Sequence, residues 1–299
     1  MSAVCAKCQG RKVTVERRGS YAFAQQCECA RTCEHCGGLG FVYERRTETV
    51  SGKMGPRTYD VMVDCACRLR ARRVSAFNEV KLPASVSHAT FDNYRPFHPD
   101  QARAQKVSRS FTLGYSPKGD GRGFILSGPV GTGKTHLLGA ALSHLALERG
   151  VRCAYVEISL LYATIRRGFN EGKSGGEIIG PLSEVEVLAI DELGKGRGSP
   201  FELDTMDELI ARRYNAGRTT LFATNYSLAP DPRPNAGHGG AVRHGYSNPR
   251  DVGPSQRDGT GEILRDRVGE RIYSRLCEMC EFVEMPAGTP DNRRGSSGR

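Results

Sequence analysis

The 299-residue chain carries 43 Lys and Arg against 33 Asp and Glu, a net charge of +10, and only 38% apolar residues with no tryptophan. That length holds about two domains, and the lean apolar content leaves part of the chain as loop or as structure held by metal. The charge balance points to an anionic partner such as nucleic acid. No run of about 18–20 apolar residues exists, which excludes a transmembrane helix.

The first residues, Met1-Ser2-Ala3-Val4-Cys5, contain no apolar stretch of the secretory type, so the expected location is the cytoplasm. Eleven cysteines in a reducing compartment read as metal ligands before disulfides. Eight of them lie between Cys5 and Cys67 in two copies of one pattern. Cys5 and Cys8 are followed by Val13-Thr14-Val15-Glu16-Arg17-Arg18 and close on Cys27 and Cys29. Cys33 and Cys36 are followed by Phe41-Val42-Tyr43-Glu44-Arg45-Arg46 and close on Cys65 and Cys67. Two thiolates at such spacing bite one ion from a tight turn, which Gly10 and Gly38 allow. Two structural zinc ions are expected, each at the base of a β-hairpin. The natural sets are Cys5, Cys8, Cys27, Cys29 and Cys33, Cys36, Cys65, Cys67; an interleaved pairing of outer with outer and inner with inner is the alternative. The predicted organisation is a zinc-ribbon module over 1–72, a linker over 73–85 and an α/β domain over 86–290. Residues 291–299 are expected as a disordered tail.

Within the α/β domain, Gly123–Ser127 is a short apolar strand. It runs into Gly128-Pro129-Val130-Gly131-Thr132-Gly133-Lys134-Thr135 and then into an apolar helix beginning at His136. Strand, glycine-rich loop and helix in that order make a P-loop, whose backbone N–H groups hold phosphates. Lys134 would reach the β- and γ-phosphates of ATP, and the Thr135 hydroxyl would ligate Mg2+. His136 adjoins this segment, although its place on the helix fits packing better. Cys153 precedes a further strand and reads as core. A second apolar strand, Val185–Ile190, ends in Asp191-Glu192: Asp191 suits the Mg2+ shell and Glu192 the general base for an attacking water. A third, Thr219–Thr224, ends at Asn225, which could touch the γ-phosphate and that water or merely cap a turn.

Residues 229–261 lack any apolar period and read as a surface insertion. From Ile263 to Leu276 the apolar residues Leu264, Val268, Ile272 and Leu276 recur every four positions, predicting one helix with a buried face and its arginines turned away. Cys277 and Cys280, three apart, are expected at the end of that helix.

Residues 82–290 resemble the DnaC/DnaI-type bacterial helicase loaders and the similar IstB-type transposition ATPases. The match rests on Leu82-Pro83, Ala89-Thr90-Phe91-Asp92-Asn93-Tyr94, GPVGTGKTHL, LAIDELG, Arg212-Arg213-Tyr214, TTLFATNYS and GERIYSRL. The resemblance implies an AAA+ fold and an ATP-bound homo-oligomer on single-stranded DNA, with Asn225 at the sensor I position. Arg275 takes the arginine-finger place, with Arg271 as the alternative. Ile158–Arg167 sits where these ATPases put a DNA-facing helix, which could equally be a simple crossover helix, and Lys173 just beyond could meet phosphate. Loaders of the DnaI type carry a zinc-containing helicase-binding front. That precedent makes a replicative helicase the expected partner of the cysteine module. Two other readings remain: an IstB-like ATPase that remodels DNA in transposition, and a zinc-ribbon adaptor whose nucleotide site only switches binding.

Overall fold

The computed structural model describes residues 4–48, 56–228, 263–286 and 288–291. The predicted insertion at 229–261, the hairpin tip around 51–55 and the tail beyond 291 lie outside these residues.

Both cysteine repeats fold as antiparallel hairpins. The first pairs β1 (Val13–Arg18) with β2 (Tyr21–Gln26), and the second pairs β3 (Phe41–Glu48) with β4 (Arg57–Asp64). The first hairpin is fastened to the rest of the chain. Ala22 and Ala24 are buried in the main core beside Phe77, Val80 and Leu82. The Ala22 amide donates to the Leu82 carbonyl at 2.8 Å, and the Asn78 side chain both accepts from and donates to the Ala24 backbone. The second hairpin stands clear of that core, with Leu39, Tyr43 and Met62 exposed at 70%, 68% and 57%.

The stretch expected as a linker is helical. α1 (Ala66–Val80) starts within the second cysteine set, with Cys65 as its N-cap, and runs straight through residues 73–80. Its Ala, Leu and Arg are good helix formers, and Val74, Phe77 and Val80 recur at helical spacing and join the core shared with the helix that follows the P-loop. The C-terminal part of this helix thus fastens the first hairpin to the α/β domain, while its N-terminal end carries Cys67 of the second cysteine set.

The domain holds five parallel strands: β5 (Gly123–Ser127), β6 (Cys153–Glu157), β7 (Val187–Asp191), β8 (Thr219–Thr224) and β9 (Cys280–Glu284), in the order β6-β7-β8-β5-β9. β5, β7 and β8 are buried at every position, as strands covered on both faces must be. One face carries α1, α2 (Pro99–Gly114) and α3 (Lys134–Arg149). The other carries α4 (Ile158–Asn170), α5 (Gly175–Glu184), α6 (Pro200–Asn215), α7 (Leu264–Val268) and α8 (Glu270–Met279).

The helix predicted over Ile263–Leu276 is two helices. Gly269, at φ 82° and ψ 158°, breaks it, a conformation glycine enters without steric cost. Leu264, Val268, Ile272 and Leu276 are nevertheless all buried, so the period survives the break. Cys280 is not helical: it begins β9, buried at the sheet edge with its thiol toward the Thr220 carbonyl, while Cys277 is exposed. Cys153 begins β6 and is buried.

Candidate nucleotide site and metal centres

The eight cysteines gather in two groups, Cys5, Cys8, Cys27, Cys29 and Cys33, Cys36, Cys65, Cys67, with the sulfurs of each group within 4.8 Å of one another. This favours the within-repeat sets over the interleaved alternative. The nearest sulfurs are 3.8 and 3.5 Å apart in the first group and 3.7 and 3.5 Å in the second. Tetrahedral zinc with Zn–S near 2.3 Å requires S···S separations of about 3.8 Å, close to the nearest pairs of each group, so the four thiolates of each group suit zinc. The local backbone favours thiolate: the Gly40 amide donates to Cys36 Sγ at 3.3 Å, and such donors pull the Cys36 thiol down to about 6. Backbone amides at Cys8 and Lys7 likewise bring Cys5 to about 7.

The phosphate cradle follows from the abrupt end of β5. Gly128, Gly131 and Gly133 have φ of 146°, 86° and 92°, which lets the loop wrap with its amides inward before α3 begins at Lys134. The Lys134 ammonium is buried and donates to the Gly128 and Pro129 carbonyls at 2.6 and 2.7 Å. Thr135 Oγ1 donates to Asp191 Oδ2 at 2.7 Å. A hydroxyl on the first turn of α3 and a carboxylate at the end of β7 therefore meet at the mouth of the loop, as two oxygen ligands for one hard cation should. Asp191 is 4% exposed and fully engaged: Tyr155 OH also donates to Oδ2, at 2.8 Å, and the Glu192 amide donates to Oδ1 at 2.8 Å.

Glu192 follows in a left-handed conformation, φ 58°, which costs a non-glycine residue energy. Its carboxylate pairs with Lys195 and lies against Glu157. Burial, then the Glu192 carboxylate, push the Glu157 carboxyl above its usual range. The loop after Glu192 is held from two sides: Arg267 donates to the Gly194 and Gly196 carbonyls at 3.1 and 2.6 Å, and Glu202 accepts from the Arg197 and Gly198 amides.

Asn225 sits just past β8, exposed, beside this loop, whose Leu193 amide donates to the Ala223 carbonyl. His136 does not face the cradle. Its Nε2 lies 2.9 Å from the Thr90 carbonyl and its ring packs on Tyr94, so it fixes the 88–94 segment over α3. Tyr94 itself donates to the Thr132 carbonyl at 2.6 Å. Arg275 and Arg271 both pair with Asp207 on α6, Arg275 the less exposed of the two. Among the described residues neither makes a hydrogen bond or ion pair to its own P-loop. The Asp291 carboxylate does reach the P-loop: a Cβ placed on Gly131 would lie 2.0 Å from Asp291 Oδ1.

The model of the IstB-like ATP-binding protein family matches residues 44–230, more than half of the chain. The chain belongs to this family. Its relatives include the replicative helicase loader DnaC of Escherichia coli K12, 29% identical over 153 residues, 51% of this chain and 61% of the loader. The DnaC of Buchnera aphidicola (subsp. Acyrthosiphon pisum) is 29% identical over 140 residues, 46% and 56% of the two chains. The chain thus spans about three-fifths of the length of these relatives. A crystal structure of the DnaC helicase loader superposes with a TM-score of 0.51 at 27% identity, covering 67% of this chain and 98% of that one. The crystal structure of DnaI, at 20% identity and TM-score 0.51 over 71% of this chain and 94% of that one, shares the fold.

In this IstB-like chain the structure brings Lys134, Thr135, Asp191 and Glu192 together, with Asn225 beside them, and holds Arg271 and Arg275 on a separate helix. Sequence reading missed Tyr155, Glu157, Lys195 and Arg267. The first two carry a faint signal: they alternate along β6 toward the same face, and Glu157 is in register with Asp191. Leu161, Tyr162 and Ile165 are buried, whereas Arg167 is exposed, Arg166 pairs with Glu202, and Lys173 pairs with Glu171.

Proposed function

We propose that this chain hydrolyses ATP and acts in DNA replication as a loader of a replicative helicase. The observation that carries the nucleotide half is the meeting of Thr135 and Asp191 at the mouth of the P-loop, with Glu192 next in sequence. In this reading Lys134 and the loop amides hold the phosphates, and Thr135 and Asp191 hold Mg2+, which neutralises developing phosphate charge when bound. Glu192 accepts the proton of the attacking water once its pairing with Lys195 opens. Asn225 orients that water. In this reading Arg275 on α8, paired with Asp207 in the single chain, serves a neighbouring copy of a homo-oligomer, with Arg271 as second choice.

The helicase half rests on the likeness to DnaC. The zinc module, residues 1–72, is the docking element, and within it the second hairpin is the free part. The first hairpin is spent on packing against α1, while Leu39, Tyr43 and Met62 of the second are exposed. The α/β domain contacts single-stranded DNA through the α4 region. Mixing the protein with the helicase of its own organism, with and without ATP, tests this by size-exclusion chromatography. Co-elution that is lost on exchanging the exposed residues of the second hairpin is expected. A second reading, an IstB-like ATPase that remodels DNA in transposition, is favoured by the family match itself. Failure to bind the helicase together with filament formation on duplex DNA would select it.

A further inference from the structure

A groove of about 700 Å3 lies between α2 and the sheet edge, at the N-terminal end of β5. The P-loop leaves the opposite end of that strand, so a strand length of about 17 Å separates the two. Three cations line the groove: Arg103 and Lys106, one turn apart on α2, and Arg122 at the start of β5. Glu281 on β9 is the single acid in its wall. Among the described residues none of these three side chains makes an ion pair or hydrogen bond, although Arg109, on the same helix, is neutralised by Asp92 at 2.9 Å. The Asp120 carboxylate nearby is occupied by the Arg122 backbone amide, at 3.0 Å. The floor is aromatic: Phe111, half-buried, packs edge-on against Phe124 with ring centroids 5.3 Å apart.

Three converging cations repel one another, and one carboxylate does not balance them; a bound polyanion would. We propose that this groove is a second contact for single-stranded nucleic acid, with phosphodiesters on Arg103, Lys106 and Arg122 and a sugar or base edge against Phe111. The groove opens to solvent, which suits a strand lying across it rather than an enclosed nucleotide. The proposal extends the reading of the chain as a protein that touches single-stranded DNA and gives that strand a path remote from α4.

The test is fluorescence anisotropy of a labelled 25-mer of deoxythymidine against the full chain with ATP, over a salt series. The parent is compared with the triple variant Arg103→Ala/Lys106→Ala/Arg122→Ala and with Lys106→Glu alone, a change at an exposed helical position. Loss of three phosphate contacts lowers the slope of log affinity against log salt by about 2, since each contributes about 0.7 on a single strand. Affinity should fall at least tenfold in low salt, with DNA-independent ATP turnover unchanged, and Lys106→Glu should move both readouts the same way. Parent-like slope and affinity in both variants, with the parent binding DNA, would overturn the groove and leave the α4 reading standing. No binding by the parent would overturn both. Unchanged DNA binding with lost helicase co-elution would assign the groove to an acidic protein surface and overturn the nucleic-acid proposal.

Discussion

Replacing Tyr155 with Phe removes one oxygen atom and, with it, one of the three donors that hold the Asp191 carboxylate. Burial, reinforced by the charge of Asp191, pushes the Tyr155 phenol above its ordinary value, so it remains a protonated donor throughout the working pH range. A hydrogen bond to a charged acceptor contributes about 1.5–3 kcal/mol net. Tyr155 is only half-buried, which favours the lower end, about 1.5 kcal/mol. If Thr135 gave its hydroxyl to a bound Mg2+, Tyr155 would be the side chain left to keep Asp191 Oδ2 in place. Its loss should therefore appear as about a tenfold rise in the Mg2+ concentration needed for half-maximal ATP hydrolysis, with a smaller change in the rate at saturating Mg2+. The assay is steady-state phosphate release over an Mg2+ titration at fixed ATP, with a thermal melt of each protein to confirm folding. Half-saturation within twofold of the parent in a folded variant would refute the idea that Tyr155 positions Asp191.

Metal analysis of the purified protein should find two zinc ions per chain, and a zinc-selective chelator, with Mg2+ kept in excess, should abolish helicase co-elution while sparing ATP binding by the P-loop. One ion per chain would contradict the two-centre reading. Arg213 is fully buried with no carboxylate partner among the described residues, donating instead to the Leu182, Val185 and Thr219 carbonyls and to Thr220 Oγ1. Arg213→Met would strand several of these acceptors at about 1–3 kcal/mol apiece, so urea unfolding should report a loss of at least about 3 kcal/mol; a loss below about 1 would show that water replaces the guanidinium. Asp291→Asn removes a negative charge resting on the P-loop, where it opposes incoming phosphates. Screened repulsion of about 1 kcal/mol predicts roughly fivefold tighter binding of a fluorescent ATP analogue, and unchanged affinity would place that carboxylate outside the phosphate path.

Much of the nucleotide site was legible because each piece is local. β5 and β8 fall on the apolar runs Gly123–Ser127 and Thr219–Thr224, and β7 ends on Asp191 as its sequence implied. The cysteine sets were legible for a similar reason: the spacing repeats, and a hairpin brings the two ends of each repeat together. α1 was missed because its surface is rich in arginine and its apolar contacts are few and made to α3, far along the chain. β9 was missed because two cysteines three apart read as helical, whereas the pairing of Cys280 with Gly123 is set by a strand over 150 residues away. Lys195 is only three residues from Glu192 and belongs to no motif. Tyr155 and Arg267 act across strand register and between a helix and a loop, which only the folded chain brings into range.

The central claim, ATP-gated loading of a helicase, is most directly tested by retention of the replicative helicase on immobilised single-stranded DNA, with ATP, in the presence of this chain or its Lys134→Ala variant. The account predicts helicase retained with the parent chain and lost with Lys134→Ala, whose cradle cannot hold the phosphates. Equal retention with either protein, or with neither added, would contradict it.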